Sequence, residues 1–294
     1  MAANLLLLLT AAIWGFGFVA QVIGMDYLQP FGFIGARFLL GALSLVPVIW
    51  FLRHQWMGQS LALIPLARAS LVCGAILFAA SSFQQVGLLY TTASNAGFIT
   101  GMYMIFVPLI GLTMRVKTRV NVWIGCFTAC IGLFLLGVDD QWRVGYGDLL
   151  QLAGAALWAV HILAIDHFGQ RAPGLLLAFG QFLVCSLIAA FVSDVVMDEA
   201  TTWAQLLQAG PTLFYAGIIT VGVAYTLQVI AQARAHPAHA GVILSLEAVF
   251  GALGGYWLLN ELLSSRQLLG CVLMLFGMMA SHAFAPKTSA SRDR

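Results

Sequence analysis

The sequence predicts an all-α membrane protein of ten transmembrane helices, arranged in two inverted five-helix repeats. Composition is one reason, because 61% of the 294 residues are hydrophobic and only 8% are charged, whereas soluble domains are about 25% charged. A second reason is that polar residues, glycines and prolines divide the chain into ten apolar runs, each close to the roughly 20 residues that a helix needs to cross a bilayer. The third is an internal repeat with an offset of 144 residues, which indicates that the two halves share one architecture.

The apolar runs follow one another through short connections, and only residues 52–66 and 194–210 form longer segments between them. No basic residue precedes the first run, and no cleavage site followed by polar sequence ends it. We therefore expect the first run to remain as a membrane helix. The predicted helices cover about residues 4–23, 31–51, 67–90, 94–114, 119–138, 147–167, 174–196, 211–232, 238–259 and 264–285.

The internal repeat is clearest between residues 95–117 and residues 239–261. The tetrapeptide AAIW that ends at Trp14 also recurs, as the AALW that ends at Trp158. Because each repeat holds an odd number of helices, the second enters the membrane from the opposite side, an arrangement typical of transporters. We expect the first repeat at residues 1–143, the second at residues 144–286 and a short cytoplasmic tail at residues 287–294.

The distribution of lysine and arginine predicts the orientation. Cytoplasmic loops carry an excess of these residues, and a cytoplasmic N-terminus places ten of them inside and two outside, while Arg37 lies within a helix. Both termini are therefore expected in the cytoplasm, with the protein in the inner membrane of the cell. The inner set is Arg53, Arg68, Arg115, Lys117, Arg119, Arg171, Arg234, Lys287, Arg292 and Arg294, and the outer set is Arg143 and Arg266.

Several motifs carry a resemblance to a known family. They are AAIWGFGFVA near the start, Arg37-Phe38 in the second helix, YTTASNAGFITGMYMIFVPLIG at residues 90–111 and SLEAVFGALGGYWLLNE at residues 245–261. With the repeat and the chain length, they resemble the EamA domains of the drug/metabolite transporter superfamily. The resemblance implies a secondary transporter that exports small metabolites such as amino acids or amphipathic drug-like compounds. The inverted repeats favour alternating access, and proton coupling is one option. Ala248 and Asn260 stand where the family often has proline and glycine, which leaves the substrate open.

Glu247 is the one carboxylate deep inside an otherwise apolar predicted helix. A charge at such a depth is costly unless it has a partner or a function. Glu247 is a candidate for coupling transport to protons or for binding a substrate amine, and the alternative is a structural carboxylate that bonds neighbouring backbone. Its counterpart in the first repeat is Tyr103.

Arg37 is the corresponding cation, about six residues into the second predicted helix. Its planar guanidinium suits the carboxylate of an amino-acid or organic-acid substrate, or an ion pair with Glu247. The alternatives are a side chain that extends to the membrane surface and a structural pair. Its counterpart at the repeat offset is Gln181.

Two helix faces are more typical of a cavity wall than of a lipid-facing surface. Trp14 and Trp158 fall near the middle of their helices, away from the interfacial belt where tryptophan accumulates. Residues at helical spacing accompany them, namely Thr10, Gly17 and Gln21 in the first helix and Gly154, His161 and Ile165 in the sixth. His161 adds a titratable group, which makes it a second coupling candidate, with a packing histidine as the alternative.

Gln84 and Gln228 occupy equivalent positions in the two repeats. Amides in membrane helices either contact substrate or join helices through hydrogen bonds. Tyr225 and Asn95 extend this polar set. The predicted substrate-binding residues are Trp14, Arg37, Gln84, Tyr103, Trp158, His161, Gln228 and Glu247, of which Glu247 and His161 are also the predicted coupling residues.

The sequence lacks the residues that several other functional classes require. The Gly-x-Gly-Asp of intramembrane aspartyl proteases occurs at residues 145–148, but no Tyr-Asp pair lies within another predicted membrane helix. The sequence contains no Walker A, His-Glu-x-x-His or Gly-x-Ser-x-Gly motif, and its five cysteines have no metal-ligand or disulfide spacing. We expect no enzyme activity, no cofactor and no metal.

The expected partners are a small-molecule substrate and the lipid bilayer, and the sequence is compatible with a homodimer. The basic residues are spread out and the net charge is only +2, so nucleic acid is not expected as a partner. The alternative function is a membrane-embedded enzyme or a lipid-handling protein with no role in transport.

Overall fold

The structure, a computed structural model, describes residues 2–55, 63–91, 93–113, 118–137, 145–170, 172–258 and 264–283. All regular secondary structure in these ranges is helical. Within the described residues, eight helical stretches are long and apolar enough to cross a membrane, and two shorter apolar helices cover Val120–Leu135 and Ser265–Ser281. The chain is therefore a multi-pass membrane protein, and these stretches overlap the apolar runs of the sequence.

The first half of the chain begins with two long helices separated by a short turn. Pro30 begins the second of them, a position where its missing N–H group removes no helical hydrogen bond. The helices of this half are α1 (Ala2–Gly24), α2 (Pro30–Leu52), α3 (Leu63–Gly87), α4 (Ala93–Gly101), α5 (Tyr103–Thr113) and α6 (Val120–Gly137).

The second half contains two π-helical segments. One, at Val192–Val196, extends a preceding α-helix, and the other, at Phe214–Tyr225, forms the middle of a continuous stretch from residue 210 to 232. π-Helical turns are rare and often lie at functional sites. The α-helices are α7 (Tyr146–Gly169), α8 (Gly174–Phe191), α9 (Trp203–Gln208), α10 (Gly210–Leu213), α11 (Thr226–Gln232), α12 (Pro237–Leu244), α13 (Glu247–Leu258) and α14 (Ser265–Ala283).

Two of the predicted membrane helices are broken, and the breaks lie at equivalent positions of the internal repeat. In the first half, α4 ends at Gly101 and α5 begins at Tyr103, and in the second half α12 ends at Leu244 and α13 begins at Glu247. The sequence left open whether the helix of Glu247 is continuous. The interruption before Glu247 is a tight turn, because the Leu246 and Ala248 N–H groups donate to the Ile243 and Ser245 carbonyl oxygens, so the chain keeps its course through it.

Close helix packing surrounds these breaks. α1 packs against α13 and against the π-helical segment Phe214–Tyr225, and α7 packs against α3, α4 and α5. Gly15 of α1 has the closest approach to α13, because a Cβ there would lie 2.6 Å from the Glu247 carbonyl oxygen. α2 packs against α8, and α6 packs against α14. Small residues allow such approaches between membrane helices.

Part of the predicted topology falls outside the described residues, including the boundary between residues 143 and 144 and the tail at 287–294. The same is true of seven basic residues that predicted the orientation: Arg115, Lys117, Arg143, Arg171, Lys287, Arg292 and Arg294. The other five that predicted it are exposed at or near helix ends, namely Arg53, Arg68, Arg119, Arg234 and Arg266.

Candidate functional site

A narrow cavity lies between the helices of the two halves. Its volume is about 40 Å³, which is room for about three water molecules at the ~10–15 Å³ that each requires. The cavity combines aromatic walls with uncharged polar and charged side chains. It is lined by Trp14, Gly17, Phe18, Gln21, Arg37, Gln84, Thr100, Tyr103, Trp158, Ile162, Thr220, Tyr225, Gln228 and Glu247.

Seven of the eight residues predicted to bind substrate lie in this lining, and His161 does not. Tyr225, which the sequence added to the polar set, is also there, whereas the side chain of Asn95 lies outside the described residues. The predicted polar face of α1 contributes Gly17 and Gln21 as well as Trp14. The predicted polar face of α7 contributes Trp158 alone.

Arg37 is buried, with 4% of its surface exposed. Its guanidinium carbon lies 5.1 Å from the centre of the Phe38 ring and 5.6 Å from that of Phe33, distances typical of cation–π contacts. Arg37 Nε has no hydrogen-bond partner, and no ion pair joins Arg37 to Glu247 in the described part of the chain. An anionic group in the cavity would give this cation the partner that it lacks.

Glu247 is equally buried, with 4% of its surface exposed. The Tyr103 hydroxyl interacts electrostatically with the Glu247 carboxyl group. The Tyr103 hydroxyl points towards the carboxyl group as a donor, although neither Tyr103 Oη nor Glu247 Oε1 has a partner at normal hydrogen-bond distance and angle. Two repeat counterparts thus face each other, and Glu247 Oε1 is available to a proton or an amine.

Tyr225 is the centre of the aromatic wall. Its ring centroid lies 4.5 Å from that of Trp14 and 6.0 Å from that of Trp158. The rings of Phe38 and Phe182 lie 5.9 Å and 6.0 Å from Tyr225. Tyr225 is the last residue of the π-helical segment Phe214–Tyr225, so the position of the aromatic wall depends on that segment.

Hydrogen bonds hold α1 against the same π-helical segment. Trp14 Nε1 donates to the Thr220 carbonyl oxygen at 3.2 Å, and Thr10 Oγ1 lies 3.2 Å from the Ala224 carbonyl oxygen. Thr10, which the sequence placed on a cavity wall, is fully buried outside the lining, and its hydroxyl lies 2.9 Å from the Leu6 carbonyl oxygen of its own helix as well. The acceptors are main-chain atoms, so these bonds fix the height of Trp14 along the cavity.

His161 lies one layer behind the wall, contrary to the predicted position in the cavity. It is fully buried, and its ring lies 5.8 Å from the Trp158 ring and 6.4 Å from the Tyr225 ring. His161 Nε2 is 3.0 Å from Gln181 Oε1, while His161 Nδ1 has no partner. The sequence places a residue on one face of a helix but does not show which neighbouring rings cover that face.

Gln84 and Gln228, the two glutamines predicted to bind substrate, differ in their bonds. Gln151 Nε2 donates to the Gln84 carbonyl oxygen at 2.8 Å, and Thr100 Oγ1 lies 3.4 Å from Gln151 Oε1. Gln228 Oε1 has no partner. Gln84 is therefore part of a structural network through its backbone, and Gln228 presents a free acceptor.

Four lining residues were not singled out from the sequence: Phe18, Thr100, Ile162 and Thr220. Phe18 and Ile162 could have been found, because each follows a predicted tryptophan by four residues and the two are counterparts at the 144-residue offset. Thr100 and Thr220 carried no signal, since their depth depends on a helix break and on a π-helical turn.

No group of metal-ligating side chains occurs among the residues that the structure describes. The five cysteines are unpaired, and four of them are buried. What the cavity offers chemically is a cation, a carboxyl group and aromatic faces, which suits binding of a polar organic molecule.

Comparison with known proteins gives the context of this cavity. The family model described as the EamA-like transporter family matches residues 1–138 and again residues 145–281. An uncharacterized transporter of Archaeoglobus fulgidus is 31% identical over 285 residues, which cover 94% of this chain and 84% of that protein.

Two relatives in Escherichia coli have named activities. The probable amino-acid metabolite efflux pump of strain K12 is 25% identical over 94% of this chain and 93% of its own length. The threonine/homoserine exporter RhtA of the same strain is 28% identical over 58% of this chain and 57% of its own length. One solved crystal structure has a TM-score of 0.76 at 18% identity, covering 96% of this chain and 97% of that one, and is thus similar in fold. Since the family model matches most of the chain, in two consecutive segments, this multi-pass membrane protein belongs to the EamA-like transporter family.

Proposed function

We propose that the protein exports small metabolites that carry both a carboxylate and an amino group, such as amino acids. The observation that carries this proposal is that Arg37 and Glu247 line one buried cavity without pairing with each other. Arg37 would bind the substrate carboxylate, Glu247 the ammonium group, and the rings of Trp14, Trp158 and Tyr225 the remainder. The names of the two Escherichia coli relatives support this substrate class.

The transport mechanism in this proposal is alternating access by two inverted five-helix repeats, ten membrane helices in all. The equivalent positions of the two helix breaks support the repeat. So does a contact between counterparts, since the Phe38 and Phe182 rings lie 6.1 Å apart and a residue close to a two-fold axis touches its own counterpart. The paired family matches give the same offset. In this proposal the protein lies in the inner membrane of the cell, with both termini in the cytoplasm.

The size of the cavity supports a conformational change during transport. A volume of about 40 Å³ holds a few waters but not an amino acid, so the helices must separate before substrate binds. The interruptions between α4 and α5 and between α12 and α13 are points at which the two parts of a membrane helix can change their relative angle.

Glu247 is the proposed coupling group. A carboxyl group that binds a proton in one state and releases it in the other links proton movement to substrate movement. His161 lies outside the cavity and is therefore the second choice.

Transport by proteoliposomes tests the proposal. Purified protein is reconstituted, and uptake from a panel of amino acids is followed with and without a pH gradient. We expect accumulation of at least one amino acid to respond to the gradient. Glu247→Gln should keep exchange of labelled for unlabelled substrate but lose that response, because the amide keeps the shape of the side chain and cannot change its charge.

Two further variants complete this experiment. Arg37→Gln should raise the half-saturation concentration at least about tenfold, which corresponds to a charged hydrogen bond of ~1.5–3 kcal/mol. Asp194→Asn removes an exposed carboxylate outside the cavity and should behave as the wild type. A gradient response that persists in Glu247→Gln would exclude Glu247 as the coupling group, and no transport of any amino acid by the wild type would contradict the substrate class.

A further inference from the structure

The internal repeat divides the cavity lining into two classes. In four pairs both counterparts line the cavity, for example Trp14 with Trp158 and Tyr103 with Glu247. In the other six lining positions the counterpart 144 residues away is not part of the lining. The lining therefore has a symmetric part, formed by the four pairs, and an asymmetric part, formed by the six residues whose counterparts lie outside it.

Three of the excluded counterparts are polar. Gly17 corresponds to His161, Arg37 to Gln181 and Tyr225 to Ser81. All three counterparts have no exposed surface. They belong to α7, α8 and α3, and α3 packs against both of the other two helices.

Each of these three buried residues holds a polar atom without a partner. The atoms are Ser81 Oγ, His161 Nδ1 and Gln181 Nε2. The hydrogen bond between His161 and Gln181, at 3.0 Å, satisfies one polar atom of each and leaves the other free. Buried polar atoms of this kind are rare in native structures, because leaving them unpaired costs free energy. All three belong to counterparts of lining residues, and this position favours a second state in which they are hydrated or bound.

Resting on the alternating-access function proposed above, we propose that Ser81, His161 and Gln181 line a second half-cavity in the oppositely facing state, in which Gln181 and His161 replace Arg37 as the contact for the carboxylate of the substrate. When two inverted repeats exchange conformations, each lining position passes to its counterpart. Trp14, Trp158 and the Tyr103–Glu247 pair remain in the lining throughout, since both counterparts already belong to it. The substrate thus keeps its central contacts and changes its anion contact.

The exchange has a consequence for affinity. A guanidinium forms charge-assisted bonds to a carboxylate, which are about twice as strong as those of a neutral amide. The substrate is therefore held more tightly in the state that contains Arg37 in the lining. The half-saturation concentration for substrate should therefore differ between the two faces of the membrane. The lower value is expected at the face to which the cavity opens when Arg37 lines it.

Cysteine accessibility at two conservative positions tests the inference. Ser81→Cys reports on the proposed second half-cavity, and Thr100→Cys reports on the cavity seen in this structure. Both are made in full-length protein whose five native cysteines are replaced. Transport by each variant is checked first. A charged, membrane-impermeant methanethiosulfonate is applied to one face of the proteoliposomes at a time. We expect Thr100→Cys to react from one face and Ser81→Cys from the other.

Several results would overturn the inference. Reaction of both cysteines from the same face would do so, and so would a Ser81→Cys protein that transports but reacts from neither face. Both results leave transport itself intact, whereas absence of transport by the wild type contradicts the proposed function instead.

If Ser81→Cys does not transport, a substitution of Gln181 in the protein that keeps its five native cysteines tests the inference instead. Gln181→Ala should raise the half-saturation concentration about threefold to tenfold, the equivalent of one neutral hydrogen bond, at one face of the membrane only. Arg37→Gln should act mainly at the opposite face. An equal effect of Gln181→Ala at both faces, or no effect at either, would refute the exchange.

Discussion

Substitution of Gly15 by alanine measures how closely α1 must approach the break that positions Glu247. A Cβ at this position would lie 2.5 Å from Phe250 Cβ, 2.6 Å from the Glu247 carbonyl oxygen and 2.7 Å from the Gly251 nitrogen. Two of these atoms belong to the backbone, so no change of side-chain rotamer relieves the contact. Since carbon atoms pack at about 3.5–4.0 Å, α1 has to move away from α13 by about 1 Å.

The expected cost follows from this displacement. Overpacking in a well-packed interior costs about 1–3 kcal/mol, and we expect about 3 kcal/mol here because two backbones must separate. At ~2–4 °C per kcal/mol for a chain of this size, the melting temperature of Gly15→Ala should fall by about 6–12 °C. The same movement displaces the first residue of α13, so transport per folded molecule should also fall.

Thermal unfolding of detergent-purified protein, followed by tryptophan fluorescence, measures the effect. Gly169→Ala is the matched control, because the nearest atom to a Cβ at that position is Ile165 Cγ2 at 3.9 Å, an ordinary contact, and its melting temperature should stay within about 2 °C of the wild type. A Gly15→Ala protein that melts at the wild-type temperature would refute the close approach of α1 and α13. Equal losses in the two variants would show a general cost of replacing glycine.

Two other predictions concern the membrane topology and the start of α7. In whole cells, an impermeant thiol reagent should label Trp203→Cys and leave Arg119→Cys unlabelled, in a background without native cysteines, because the lysine and arginine distribution places residue 119 in the cytoplasm; labelling of Arg119→Cys would reverse the orientation. Asp148 accepts hydrogen bonds from Thr91 Oγ1 at 2.5 Å and from the Gly145 N–H at 2.9 Å, so Asp148→Ala should destabilise the protein by about 1 kcal/mol, seen as a melting temperature about 2–4 °C lower. An unchanged melting temperature would show that these bonds contribute nothing to stability.

Much of the site could be predicted because the repeat and the membrane act together. Charged residues inside apolar helices are rare enough to stand out, and Arg37 and Glu247 are recognisable in the sequence for that reason. The offset of 144 residues then paired Tyr103 with Glu247 and Trp14 with Trp158. These residues line one cavity.

The sequence did not predict which side chains of neighbouring helices contact one another. His161 was predicted in the cavity, yet it lies behind Trp158 and Tyr225, because helical periodicity gives the face of a helix and not the depth at which neighbours cover it. An ion pair between Arg37 and Glu247 was one alternative, and none forms in the described part of the chain, where both side chains line the cavity unpaired.

A helical membrane protein with an internal repeat and two buried charges follows from the amino-acid sequence alone, because hydrocarbon permits so few polar residues that each one is visible. The positions of the helix breaks, the rings that enclose the cavity and the polar atoms without partners depend on how the helices pack. Gly101, a weak helix former, ends α4, whereas α13 begins at Glu247 although Ala248 is an ordinary helix former. Local preference does not account for the second interruption, and tertiary packing routinely overrides such weak preferences.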